Sequence, residues 1–197
     1  MTMHEASRFQ AAIERFDALH CEDPRLVEVK GQRIAYEQLY ARRMSEWLER
    51  VAPDASDVLR LAVRAQHLQR WRVPRDDYPR DRPGYLAWRR ELGRRQAEQA
   101  TRVLTDVGYD EVTCERVAAL IRKEDLRRDT EAQALEDTAC LVFLEYYFTD
   151  FSKEHDEDKL RRIIRKTWNK MSDRGHDLAR TIEFSAPHQA LIQRALA

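Results

Sequence analysis

Apolar residues recur along this chain at helical spacing, and strand-like alternation is almost absent. Phe9, Ile13 and Phe16 predict a first amphipathic helix that ends near Glu22-Asp23-Pro24. The segment LVEVKGQRIA is the one plausible extended stretch, turning at Gly31. Leu39, Tyr40, Met44, Trp47, Leu48 and Val51 mark a second helix. Pro53-Asp54-Ala55-Ser56 reads as the start of a third, with Asp54 or Ser56 as its cap. That helix carries Val58, Leu61, Ala62, Ala65 and Leu68 and is predicted to run to about Trp71. Its row Leu59–Val63–His67 puts His67 at the margin of the apolar face.

Three prolines between Arg72 and Pro83 predict a loop. A long helix is then expected over Tyr85–Val107, closed by Gly108, and another from Asp110 through Ile121. After a charged link, Lys123–Asp129, comes a stretch in which Glu145 is the only charge between Ala139 and Phe148. A helix apolar on nearly every side belongs at the centre of a helical protein. Charged groups are rarely buried unless paired, so Gln133, Glu136, Asp137 and Glu145 are candidates for a site. Asp156 to Met171 predicts an amphipathic helix, and Ser185-Ala186-Pro187 opens a last short one. The expected architecture is all-α, with the central helix at about 135–151. It forms one domain over 1–184 and a C-terminal tail over 185–197.

Composition narrows the partners. Lys and Arg total 35 and Asp and Glu total 35, so a globally basic nucleic-acid binder is not expected. Three widely spaced cysteines, Cys21, Cys114 and Cys140, read as free thiols in a reducing compartment. No apolar stretch reaches the length of a membrane span, and a cytoplasmic protein that does not engage membranes is expected.

The charge is nevertheless uneven. Between Arg70 and Arg95 nine arginines stand against four acids, with Trp71, Tyr78, Tyr85 and Trp88 interleaved. Guanidinium forks bind phosphate in pairs of hydrogen bonds, and aromatic faces stack on bases. Arg70, Arg75, Arg89 and Lys123 are the expected phosphate ligands, with Trp71, Tyr78 and Trp88 as stacking groups. The bland alternative is a solvated basic face with its aromatics in the core. A second basic face, Arg161, Arg162, Arg165 and Lys166, suits RNA backbone contact if it is more than a solvated helix surface.

Two landmarks resemble the HD-domain superfamily of metal-dependent phosphohydrolases: His67 in RAQHLQRW, and Asp137 in LIRKEDLRRDTEAQALEDTACLVFLEY. The resemblance implies an HD-like helical bundle around the central helix, with appended N- and C-terminal helices, and a polar floor of His67, Glu124 and Asp137. It implies at most one divalent ion (manganese, iron, nickel or magnesium) on His67 and Asp137, because the family's His-Asp doublet is missing. Gln96 falls roughly where that doublet belongs, and Glu98, Glu124 or Glu136 would have to supply carboxylates. His155-Asp156 and His176-Asp177 spell the doublet but follow Asp137. The combination RAQHLQRW, GYLAWRREL, LEDTACLVFLEYYF and RKTWNKMSDRGH more specifically resembles the uncharacterised DUF4202 family, over most of residues 8–178. The function expected is binding, with or without hydrolysis, of a phosphorylated small molecule or nucleotide. The alternative is a non-catalytic RNA- or protein-binding helical module.

Overall fold

The computed structural model describes residues 3–124 and 128–197; the middle of the charged link, 125–127, lies outside the described residues. Helix α1 covers Met3–Cys21, and a hairpin of β1 (Leu26–Val29) and β2 (Gln32–Ala35) follows. Helices α2 (Tyr36–Val51), α3 (Asp57–Arg64), α4 (Arg82–Asp106) and α5 (Glu111–Arg122) come next. The C-terminal part holds α6 (Thr130–Val142), α7 (Phe148–Lys153), α8 (Glu157–Trp168), α9 (Asp173–Ala179) and α10 (Ala186–Leu196). The protein is mostly helical, as its apolar spacing predicts.

Two compact units divide the chain. The first takes the residues up to Ser45 and again from Ala55 through α5; the second takes Glu46–Asp54 and the chain from α6 to Ala197. In the first unit α4 packs on α5, α3 on α5, and α1 on both α3 and α4. Phe16, Met44, Leu59, Leu61, Leu104 and Leu120 are among its fully buried side chains. The hairpin pairs Val29 with Gln32 across a two-residue turn. Lys30 and Gly31 both take positive φ there, the geometry that matches the twist of the flanking strands.

In the second unit α8 packs on α10, and α6 on α9. Phe148, Leu160, Ile164, Leu191 and Ala195 make a core flanked by Phe143, Phe151, Phe184 and Ile192. The C-terminal helix is therefore built into this core. Arg161 and Arg165, expected on an RNA-facing surface, donate instead to the carbonyls of Arg194 and Ala195 at the end of α10. Cations there satisfy carbonyls that have no partner within the helix.

Three helix boundaries differ from expectation. The central helix is not continuous: its backbone widens to a π-helical turn over Phe143–Tyr147 before α7. Glu145, on that turn, accepts a hydrogen bond from the Trp47 indole at 2.6 Å. Helix α9 was not legible in the sequence, being only seven residues long. The largest departure is α3, which stops at Arg64 instead of running to Trp71.

Candidate functional site

Helix α3 begins as the sequence predicts, with the Ser56 hydroxyl accepting from the Leu59 amide. No glycine or proline ends it. The chain leaves the helix through His67 and Gln69, both in the left-handed region (φ 65° and 48°), and enters a 3-10 turn over Arg70–Arg72. An L-residue in that region costs about 1–2 kcal/mol, so the surroundings must hold the turn in place.

Three contacts fix the imidazole of His67. It stacks on Tyr40 with ring centroids 4.0 Å apart and planes 11° apart. Its Nδ1 lies 3.2 Å from a Glu37 carboxylate oxygen, and its Nε2 lies 2.7 Å from Nη1 of Arg70. A guanidinium only donates, so Nε2 must be the acceptor and Nδ1 carries the proton that goes to Glu37. His67 is thereby held as one neutral tautomer. Burial pushes its pKa well below the ordinary histidine value, and the charges of Arg70, Arg89 and Lys123 push it further. The side chain is still 19% exposed, so a ligand can reach its surroundings.

Glu37 is the hub behind the histidine. Its side chain is 1% exposed and also accepts from Arg25 at 2.8 Å. Arg25 in turn forms a fork with Asp23, whose carboxylate also accepts from the Glu37 backbone amide. Burial raises the pKa of Glu37, against the opposing pull of Arg70 and Arg25. Arg70 lies over the Trp88 ring, 4.9 Å from its centroid, and burial lowers its pKa. Arg89 is half-buried and has no hydrogen-bond or ion-pair partner among the described residues.

The expected phosphate ligands therefore separate. Arg70, Arg89 and Lys123 all act electrostatically on His67 and belong to one cationic cluster. Arg75 is committed elsewhere: it donates to the carbonyls of Tyr78 and Pro79, at 2.8 Å each, and so braces the Pro-rich loop. Tyr78 packs against Val73, Trp88 and Leu92, and the Trp88 indole donates to the Val73 carbonyl. Trp88 is buried (7% exposed), so its ring carries Arg70 and is not open for base stacking. Trp71 sits half-buried on the 3-10 turn. Glu124 is mostly exposed and pairs with Arg122 at 2.6 Å.

Asp137 belongs to the second unit and has a full set of partners there. It is 2% exposed and accepts from Gln133 at 2.9 Å, from the Ser172 amide at 2.8 Å, and from the Ser172 hydroxyl. Ser172 caps α9, and a Cβ on Gly175 would come within 2.9 Å of the Asp137 carboxyl carbon. Asp137 thus ties α6 to the start of α9. Its neighbour Glu136 pairs with Lys170 at 2.9 Å. The two late His-Asp doublets also hold structure: Asp156 caps α8, and His176 stacks on Trp168.

A divalent ion does not fit this donor set. A guanidinium faces Nε2 of His67, the other ring nitrogen faces Glu37, and the Asp137 carboxylate is filled by three donors. Among the described residues, no group of three or more His, Cys, Asp or Glu side chains is arranged to hold a metal.

A family model described as a domain of unknown function, DUF4202, matches residues 10–192. The chain belongs to the DUF4202 family. No curated protein and no solved structure matches it. No helix among the described residues is long and apolar enough to cross a membrane.

Of the partners that set the state of His67, Tyr40 enters the sequence-based reading only as an apolar position of the second helix, and Glu37 does not enter it at all. A signal for Glu37 was present. It extends the i, i+4, i+7, i+11 row of Ala41, Met44 and Leu48, which places a carboxylate on a buried helix face. Asp23 and Arg25 gave no such signal, because they act from a loop.

Proposed function

We propose that this DUF4202 protein binds a phosphorylated small molecule or nucleotide at the His67–Arg70–Arg89 cluster, on an HD-like helical scaffold that has exchanged metal ligands for cations. The observation that carries this reading is a neutral histidine, wedged between Glu37 and Arg70 on a strained turn, with Arg89 beside it and without a partner among the described residues. A partly buried cation without a counter-charge is costly, and an oxyanion supplies both the charge and the acceptors. Arg70 offers its remaining guanidinium donors, and Arg89 a second fork. Backbone strain held in place at such a cluster also favours a functional site over a structural one.

The reading is for binding rather than turnover. For His67 to take a proton from water, Arg70 would have to leave Nε2, and the lowered basicity of the ring opposes that step.

Calorimetric titration with inorganic phosphate, AMP and ATP tests the proposal. Saturable binding should fall at least about tenfold in Arg89→Ala, which removes no hydrogen bond among the described residues. Unchanged affinity in Arg89→Ala, or no binding of any of the three by the wild-type protein, overturns it. So does a stoichiometric divalent metal in the purified protein that is lost in His67→Ala.

A further inference from the structure

Lys123 is the third cation of the His67 cluster, and its backbone is as unusual as that of the histidine. It ends α5 in the left-handed region (φ 60°), at a position that usually falls to glycine. Helix α4 comes close at this end: a Cβ on Gly93 would lie 3.7 Å from the Arg122 Cα. Arg89 stands one turn before Gly93 on the same face of α4, and Lys123 directly follows Arg122. The approach of the two helices thus brings two half-buried cations together, and both act electrostatically on His67. His67, Gln69 and Lys123 all hold left-handed backbone outside any hairpin turn. Strain of this kind gathers where a site needs its side chains aimed.

Taking the binding site argued above as given, we propose that its ligand is a phosphomonoester in the dianionic form, and that Lys123 selects it over a phosphodiester. Donors arrive from three elements: Arg70 from the 3-10 turn, Arg89 from α4 and Lys123 from the end of α5. A phosphomonoester presents three terminal oxygens and a charge of about −1.5 to −2 at neutral pH. A diester presents two such oxygens and a single charge. The charge at the cluster matches the monoester. Asp23 is matched by Arg25, which leaves the Glu37 carboxylate against Arg70, Arg89 and Lys123. With His67 neutral, these groups carry an excess of two positive charges. A monoester dianion cancels that excess, whereas a diester, the unit of a nucleic-acid backbone, leaves a partly buried cation uncompensated.

Calorimetric titration with AMP and with cyclic AMP separates the two classes, because these share base and sugar and differ by one terminal oxygen and one charge. AMP should bind at least about tenfold more tightly. Lys123→Gly removes the ammonium group and suits the left-handed backbone, so the variant should stay folded. Its affinity for AMP should fall about tenfold while that for cyclic AMP changes less, which narrows the ratio. Equal affinities in the wild-type protein, or an unchanged ratio in Lys123→Gly, overturn the choice of ligand while leaving an anion site at His67. Binding of inorganic phosphate without binding of AMP does the same. No binding of phosphate, AMP or ATP overturns both the ligand and the site.

Discussion

The two buried polar clusters, around His67 in the first unit and around Asp137 in the second, have opposite designs. Asp137 is closed: two donors from Ser172 and one from Gln133 satisfy its carboxylate, and the backbone on either side is relaxed. His67 is open: its turn is in a costly conformation, its imidazole is kept neutral, and Arg89 next to it has no acceptor among the described residues. A satisfied network accounts for itself as structure. A strained network with cationic donors to spare is what the proposed anion would complete. The contrast teaches that burial and polarity, the features that single out both residues in the sequence, do not separate structure from function. The satisfaction of donors and acceptors does.

The comparison breaks first if Asp137 matters to ligand. Asp137→Ala leaves the Ser172 amide and hydroxyl without their acceptor and is expected to cost about 3 kcal/mol, seen as a large drop in denaturation midpoint. Under conditions where the variant is still folded, its affinity for phosphate should equal that of wild type. A selective loss of binding with stability intact would move Asp137 into the site.

Acid sharpens the contrast. His67 and His20 are both held below the ordinary histidine pKa by burial, so each binds its proton more readily in the unfolded chain. At these two sites the unfolded state takes up more protons, so their contribution to folding stability falls as pH drops through about 6.5, while the raised pKa of Glu37 works in the opposite sense. The slope is bounded at about 1.4 kcal/mol per pH unit for each histidine. Denaturant titrations between pH 7.5 and 5.5 should show this loss, and His67→Gln should reduce it. The same pH dependence in His67→Gln as in wild type would mean that His67 is not kept neutral by burial.

Much of the fold was readable from local signals. Ser56, Asp110 and Asp156 cap their helices, and Gly108 takes the positive φ of a C-terminal stop, as their residue types predict. The early end of α3 was not readable. Its exit residues, Ala65 to Gln69, include no breaker, and the conformation is imposed by Glu37 and Tyr40, some thirty residues earlier. Asp137 was picked out by its apolar neighbours, yet its partner Ser172 lies 35 residues away, so its structural role was out of reach. The site suffered in the same way. His67, Arg70 and Arg89 were legible as residue types, but which of the arginines had charge to spare depends on contacts that close only in the fold.

A smaller effect is expected at Gly175. A Cβ there would meet the Asp137 carboxyl group at 2.9 Å and the Met171 Cβ at 3.0 Å. Gly175→Ala should therefore destabilise by about 1–2 kcal/mol through overpacking, with phosphate affinity unchanged. A neutral Gly175→Ala would mean that the closed network has slack.

Arg75 gives the smallest predicted effect and the finest discrimination. Sequence alone ranks it with Arg70 and Arg89, since all three lie in one basic stretch. In the structure its guanidinium donates to the Tyr78 and Pro79 carbonyls, and Gly84 lies so close to Pro79 that an added Cβ would meet that carbonyl oxygen at 2.2 Å. Arg75 is thus a brace within the loop that leads into α4. Arg75→Ala should cost about 1 kcal/mol of stability, the usual scale for hydrogen bonds at a half-exposed site, and change phosphate affinity less than twofold. Set beside the tenfold loss in Arg89→Ala, that result separates an arginine whose donors are already committed from one whose donors are available. Equal losses in the two variants would mean that the loop itself, and not Arg89, recognises the anion.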